Sequence, residues 1–171
     1  MQAIIALGSN LGCREKYLGA ALDALDGRAG SLLAVSTVYE TEPDGLVAET
    51  DFLNAACAVE TTLSPEALLE LLLVIEQEQG RVRDGVNLSR TLDLDLVFYE
   101  NETRESLRLT LPHPRFAERD FVCEPLRELL FKEPLCAERC WDFLRARLAK
   151  MPFATGLRVW PHSLPRTSNP H

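Results

Sequence analysis

Two aspartates two residues apart, Asp93 and Asp95, are the first sign of chemistry in this chain. They sit in Arg90-Thr91-Leu92-Asp93-Leu94-Asp95-Leu96-Val97-Phe98, where apolar and polar residues alternate as in a β-strand. Leu92, Leu94, Leu96 and Phe98 share one face of such a strand, and Asp93 and Asp95 share the other with Thr91 and Val97. Residues two apart on a strand lie roughly 6.5 Å apart along it. Carboxylates held that close repel, and Asp is depleted from strands to begin with. By strict parity Arg90 falls on the opposite face, so the strand is expected to supply no neutralising cation of its own. A pair of divalent cations, about 3.5–4 Å apart in two-metal sites, suits the gap between two such side chains. Two solvated aspartates on an edge strand would give the same pattern, so the flanking residues decide.

Those residues are rich in arginine. Gly80-Arg81-Val82-Arg83 is followed by Asp84-Gly85-Val86-Asn87-Leu88-Ser89 and then Arg90, so three arginines flank a flexible loop just before the aspartates. The planar guanidinium fork makes bidentate charged hydrogen bonds to phosphate. An arginine-rich loop feeding a strand with two metal-type carboxylates suits a polyphosphate with bound Mg²⁺. Ion pairs with surface acids are the plainer explanation of the same residues. Further along, His113 is held rigidly between Pro112 and Pro114, with Arg115 and Arg119 close by, and phosphate contact is plausible there too.

The elements that must position these groups can be read from pattern. Residues 2–7 form a short apolar run, expected as a buried strand stopped by a turn at Gly8-Ser9-Asn10. An amphipathic helix follows over residues 13–25, with Tyr17, Ala21 and Leu25 on one stripe. Residues 32–39 are rich in β-branched side chains and predict a second strand. Residues 40–51 have little periodicity, and long connections of that kind tend to be binding elements or disordered. A third strand is predicted over 52–61. Asn54 shares the Phe52 face there, and an amide beside an aromatic can read a flat heterocycle, although a satisfied strand-end amide is the commoner case.

Ser64-Pro65-Glu66 is a strong helix start, with Ser at N-cap and Pro at N1. That helix runs to about residue 79, with Gly80 as its C′ residue and Glu76 in its last turn, where the helix dipole disfavours an acid. A short strand over 107–111 and helices over 123–130 and 137–150 complete the pattern. Residues 1–150 are expected to form a single domain, and the Pro- and Ser-rich tail 151–171 either wraps it or is disordered.

Composition narrows the class. The chain has 171 residues, 46% hydrophobic and 26% charged, as in an ordinary globular domain with a substantial core. A net charge of −8 argues against a nucleic-acid partner, and no apolar run approaches a membrane span. Met1-Gln2-Ala3 has no basic region before its apolar run, so no signal peptide is expected. Five cysteines without framework spacing fit a reducing cytoplasm, and Cys136 and Cys140 are expected to be packing residues.

Five motifs in order carry a resemblance. Ala6-Leu7-Gly8-Ser9-Asn10-Leu11-Gly12, Phe52-Leu53-Asn54-Ala55-Ala56, Glu76 with Gly80-Arg81-Val82-Arg83, Arg90-Thr91-Leu92-Asp93-Leu94-Asp95, and Pro112-His113-Pro114-Arg115 with Arg119 and Phe121 resemble the 6-hydroxymethyl-7,8-dihydropterin pyrophosphokinases of folate biosynthesis. The resemblance covers about residues 1–130. It implies an α+β fold with a ferredoxin-like βαββαβ core, a mainly antiparallel sheet, an extra strand and C-terminal helices. The implied reaction moves the terminal pyrophosphate of ATP to the pterin hydroxymethyl group and releases AMP.

By the same resemblance Asp93 and Asp95 hold two Mg²⁺ ions, with ATP as co-substrate. Arg81, Arg83 and Arg90 act on phosphate as catalytic groups, and Glu76, His113 and Arg119 complete the ATP side. Thr41, Pro43, Phe52, Asn54 and Phe121 form the pterin pocket. The implied protein is a cytoplasmic monomer without nucleic-acid or membrane partners. The stretch Val86-Asn87-Leu88-Ser89 departs from relatives that place a Trp before the strand arginine; Glu42, Asp44 and Pro114 are further departures. A ferredoxin-like binding or regulatory module that lost transfer is the alternative, but it would need neither the paired carboxylates nor the arginines.

Overall fold

β1 (Gln2–Ser9) is buried along nearly its whole length because it runs through the middle of the sheet. The computed structural model describes residues 1–42, 50–82, 89–132 and 134–166. After β1 come α1 (Arg14–Arg28), β2 (Ser31–Val35), β3 (Tyr39–Thr41), β4 (Phe52–Glu60), α2 (Pro65–Glu78) and β5 (Asp93–Tyr99). β1 pairs antiparallel with β4 on one side and β5 on the other, and the sheet order is β5-β1-β4-β3 followed by a short last strand, β8 (Arg158–Val159), with β2 also on β4. Taking β2 and β3 as two halves of one strand, this is the ferredoxin-like βαββαβ order. A small hairpin of β6 (Arg104–Glu105) and β7 (Thr110–Leu111), then α3 (Asp120–Phe131), α4 (Asp142–Leu148) and β8 (Arg158–Val159), complete the chain.

The period of two along the strands sorts the side chains into two cores. Ala3, Ile5 and Leu7 join Leu53, Ala55, Cys57, Leu94 and Leu96 against α1 and α2. Ile4, Ala6, Ala56, Ala58 and Val97 pack on the opposite face with Val122, Leu126, Leu129 and Leu144 of α3 and α4. Helices therefore cover both faces of an antiparallel sheet, and the open end of the α3 face is where Asp93 and Asp95 emerge.

Several sequence expectations are corrected. β1 does not stop before Gly8: β4 and β5 both pair with Gly8, and β4 carries the strand on to Ser9. The strand expected over 32–39 is broken: the Ser36 N–H donates to Ala56 O (2.8 Å), while the Ser36 hydroxyl takes the place of a carbonyl and accepts from the Ala56 N–H (2.9 Å). Only Thr110–Leu111 of the stretch 107–111 is strand, and Leu107 is fully exposed. The helix expected over 137–150 is two 3-10 turns, Leu135–Ala137 and Arg139–Trp141, followed by α4.

α2 begins as its sequence demands, with the Ser64 hydroxyl accepting from the Ala67 N–H (3.2 Å) and Pro65 in the first turn. It ends in a Schellman motif. Gly80 takes φ +78°, the Gly80 N–H donates to Gln77 O (2.9 Å) and the Arg81 N–H to Glu76 O (3.1 Å). That reversal folds Arg81 back over the last turn, beside Glu76. Tail residues through 166 lie along the domain: β8 extends the sheet beside β3, Trp160 N–H donates to Val38 O (2.8 Å), and Arg166 pairs with Asp23 (2.7 Å). Residues 167–171 lie outside the described residues.

Candidate active site

Strand register brings the chemistry together. Gly8 of β1 lies opposite Asn54 of β4 on one side and Asp93 of β5 on the other, and Ala6 lies opposite Asp95. A Cβ at Gly8 would stand 3.3 Å from Asn54 Oδ1 and 3.9 Å from the Asp93 Cβ, so the missing side chain keeps the two halves of the site in one open space. A cavity of about 400 Å³ opens there, lined by Gly8, Thr41, Phe52, Asn54, Arg90, Asp93, Asp95, Arg119 and Phe121 among others. A second, of about 280 Å³, lies under the β6–β7 hairpin and includes Leu69, Leu96, Leu109 and His113. Asp95 lines both.

The larger cavity has the character of a slot for a flat polar ring. Phe52 and Phe121 contribute aromatic surface, and the buried Asn54 is fixed by donating from Nδ2 to the Thr41 hydroxyl (2.9 Å). That bond uses one Asn54 donor and orients its amide. Arg119 stands 5.8 Å from the Phe121 ring centroid and reaches Asp95 Oδ2 with its guanidinium (3.3 Å).

Arginines meet Glu76, Asp93 and Asp95. Arg81 is paired with both Glu76 and Asp93, and Arg90 with Asp93. This corrects the parity expectation for Arg90: β5 begins only at Asp93, so strand alternation does not govern a residue three positions earlier. Glu76 is 1% exposed, lines neither cavity, and accepts from the Leu94 N–H of β5 (2.8 Å) as well as from Arg81. It ties α2 to the aspartate strand. Burial first, and the Asp93 carboxylate second, push the Asp95 carboxyl above its usual range, against the pull of His113, Arg119 and Arg90. For His113 burial dominates and holds the imidazole below its usual range, although Asp95 pulls it upward.

The sequence-derived residues therefore gather as follows. Thr41, Phe52, Asn54, Phe121, Arg90, Asp93, Asp95 and Arg119 share the larger cavity, His113 lines the smaller one, and Glu76 and Arg81 stand behind Asp93. Pro43 and Arg83, and most of the connections that carry them, lie outside the described residues. Glu118, which lines the cavity beside Arg115, was not signalled, and Gly8 stood in the first motif but was read as a turn residue. So was Asn10. Its backbone N–H donates to Arg90 O (3.1 Å) and its Oδ1 accepts from the Arg90 N–H (2.8 Å), which fixes the segment leading into β5.

Hard oxygen donors on one face suit Mg²⁺, which typically takes one or two carboxylates and completes its shell with substrate phosphates and water. Among the described residues no cluster of three or more His, Cys, Asp or Glu forms a metal cage. Asp93 and Asp95 fit a cation that arrives with a polyphosphate.

Residues 4–131 match the family described as 7,8-dihydro-6-hydroxymethylpterin-pyrophosphokinase (HPPK). The chain belongs to this family. It is 45% identical over 159 residues to a 2-amino-4-hydroxy-6-hydroxymethyldihydropteridine pyrophosphokinase of Bacillus subtilis, covering 92% of this chain and 89% of that protein. A Haemophilus influenzae protein of the same name is 44% identical over 128 residues, 74% of this chain and 80% of its own. In fold the chain resembles an HPPK-DHPS protein of Plasmodium falciparum, with TM-score 0.63 and 13% identity over 92% of this chain. The chain spans 48% of that longer structure's length. Within the HPPK family fold, Gly8→Ala is expected to crowd Asn54 and raise the pterin KM about tenfold with kcat little changed. Steady-state kinetics with the pterin as varied substrate would show it.

Proposed function

We propose that the larger cavity receives 6-hydroxymethyl-7,8-dihydropterin, the smaller one the base of ATP, and that the triphosphate crosses between them at Asp95. The chain, as an HPPK, transfers pyrophosphate from ATP to the pterin hydroxymethyl group in folate synthesis, giving AMP and the pterin diphosphate. The single observation that supports the placement is that one carboxylate, Asp95, lines both cavities. A reaction joining two ligands needs its charge-handling group where they meet.

Asp93 and Asp95 would hold Mg²⁺, and two ions match the two carboxylates. Bound there, the metal supplies charge neutralisation and alignment of the phosphates. The chain's own residues do the rest. Glu76, Asp93 and Asp95 are matched by Arg81, Arg90 and Arg119, so the site is balanced before nucleotide arrives. The guanidiniums of Arg81, Arg90 and Arg119 would bind phosphate oxygens, and Arg81 and Arg90 would stabilise charge on the transferring group. Arg83 is assigned the same role from the sequence alone. His113, in the smaller cavity, is assigned to the ATP side; Arg119 lines the larger cavity and would meet the triphosphate at Asp95, which it already reaches; Glu76 holds Arg81 in place.

Thr41, Phe52, Asn54 and Phe121 would grip the pterin, with the aromatic rings against its faces and the Asn54 amide on its edge; Pro43 joins them from the sequence. Phe121→Ala is expected to weaken pterin binding about tenfold and leave ATP affinity unchanged, measured by calorimetry with an unreactive ATP analogue. An unchanged pterin dissociation constant would remove Phe121 from the pocket. Five free cysteines support a reducing cytoplasm, and the acidic surface supports a monomer that binds small molecules and no nucleic acid. Among the described residues no helix is long and apolar enough to cross a membrane. Incubation with ATP, Mg²⁺ and the hydroxymethyl-dihydropterin tests the reaction: AMP with pterin diphosphate supports pyrophosphoryl transfer, and ADP would refute it.

A further inference from the structure

The break between β2 and β3 frees the Thr37 N–H from the sheet ladder, and an ionised side chain from α3 meets it. Glu128 accepts from the Thr37 N–H (3.0 and 3.1 Å to its two oxygens), from the Thr37 hydroxyl (2.8 Å) and from the Tyr39 hydroxyl (2.9 Å), and it pairs with Lys132. Its side chain is 13% exposed. Burial alone would raise the Glu128 carboxyl, but hydrogen bonds from Lys132, Thr37 and Tyr39 outweigh it and hold the group below the usual carboxylate range. Tyr39 is pushed up to about 12, first by burial and then by its bond to Glu128, and so remains a donor at neutral pH.

The positions at both ends of this bond matter more than its strength. Tyr39 and Thr41 are two apart in β3 and share its α3 face, and Thr41 is the group that fixes Asn54. Phe121 and Glu128 are seven apart in α3, two helical turns along the same side. One end of each element thus lines the larger cavity, and the other end is fastened to its neighbour. We propose that Glu128 is a positioning residue: by gripping Thr37 and Tyr39 it sets the distance between the α3 wall that carries Phe121 and the β3 wall that carries Thr41, and so the fit of the flat ring between them. This rests on the assignment of the larger cavity to the pterin.

A carboxylate that merely satisfied a stray N–H would affect folding alone; one that sets the slot affects one substrate. Glu128→Ala is expected to raise the pterin KM roughly tenfold, with the ATP KM and kcat within about twofold of the parent. Glu128→Gln, which keeps a carbonyl oxygen for Thr37, should return the pterin KM to within about threefold. Tyr39→Phe removes one hydroxyl at almost constant volume and carries the test if Glu128→Ala does not fold; its pterin KM should rise about threefold. Unchanged pterin KM in the folded variants overturns the proposal, as does an equal rise in both KM values. Phe121→Ala run alongside separates the two levels: if it weakens pterin binding while Glu128 and Tyr39 variants do not, the cavity assignment stands and the role of Glu128 falls. If Phe121→Ala has no effect either, the cavity assignment itself is wrong.

Discussion

Asp95→Ala is expected to abolish AMP formation, by about 10³-fold or more, while the domain folds as before. The size follows from position. Asp95 is the carboxylate common to both cavities, and several kcal/mol of transition-state stabilisation depend on the cations it would hold. The stability side has an unusual sign. An acid whose pKa is raised by folding disfavours the native state at neutral pH, since its charged form is penalised there. Removing Asp95 relieves that penalty and its repulsion with Asp93, at the cost of one partly buried ion pair with Arg119. The thermal midpoint should hold or rise as activity vanishes. A parallel loss of both would make Asp95 a structural residue, and near-normal turnover would reject the metal assignment.

Arg81→Ala should lower kcat by about 10³-fold with the pterin dissociation constant unchanged, the signature of an interaction made mainly in the transition state. Arg81 is placed by the Schellman turn at Gly80 and bridges Glu76 of α2 to Asp93 of β5. Arg81→Lys restores the charge without the planar fork, so most of the loss should persist. A variant whose thermal midpoint falls while kcat per folded molecule is retained would show that Arg81 only fastens α2 to the sheet.

The legible parts of the fold were those set by local periodicity. Asp93 and Asp95 stand out because a period of two forces both onto one face, and Ser64-Pro65 with Gly80 brackets α2 within a residue or two at each end. What escaped depends on partners distant in sequence. Ser36 is an unremarkable strand residue until its hydroxyl replaces a carbonyl opposite Ala56, and that substitution splits the second strand and exposes Thr37 to Glu128. Gly8 looks like a turn because Gly-Ser-Asn usually is one, yet neighbours on both sides keep it in the sheet. Parity misplaced Arg90 for a similar reason, since alternation has meaning only inside a strand and β5 starts at Asp93. The motif resemblance named Thr41, Phe52, Asn54, Arg90, Asp93, Asp95, Arg119 and Phe121, which the fold gathers around one cavity; the division into two cavities meeting at Asp95 required the fold.

The cation-holding role of Asp93 and Asp95 is tested most directly by counting metal. With Mn²⁺ in place of Mg²⁺ and an unreactive ATP analogue, electron paramagnetic resonance should find about two ions bound per chain in the parent protein, and fewer in Asp93→Ala and Asp95→Ala. The same number of ions in the parent and in both variants would contradict that role.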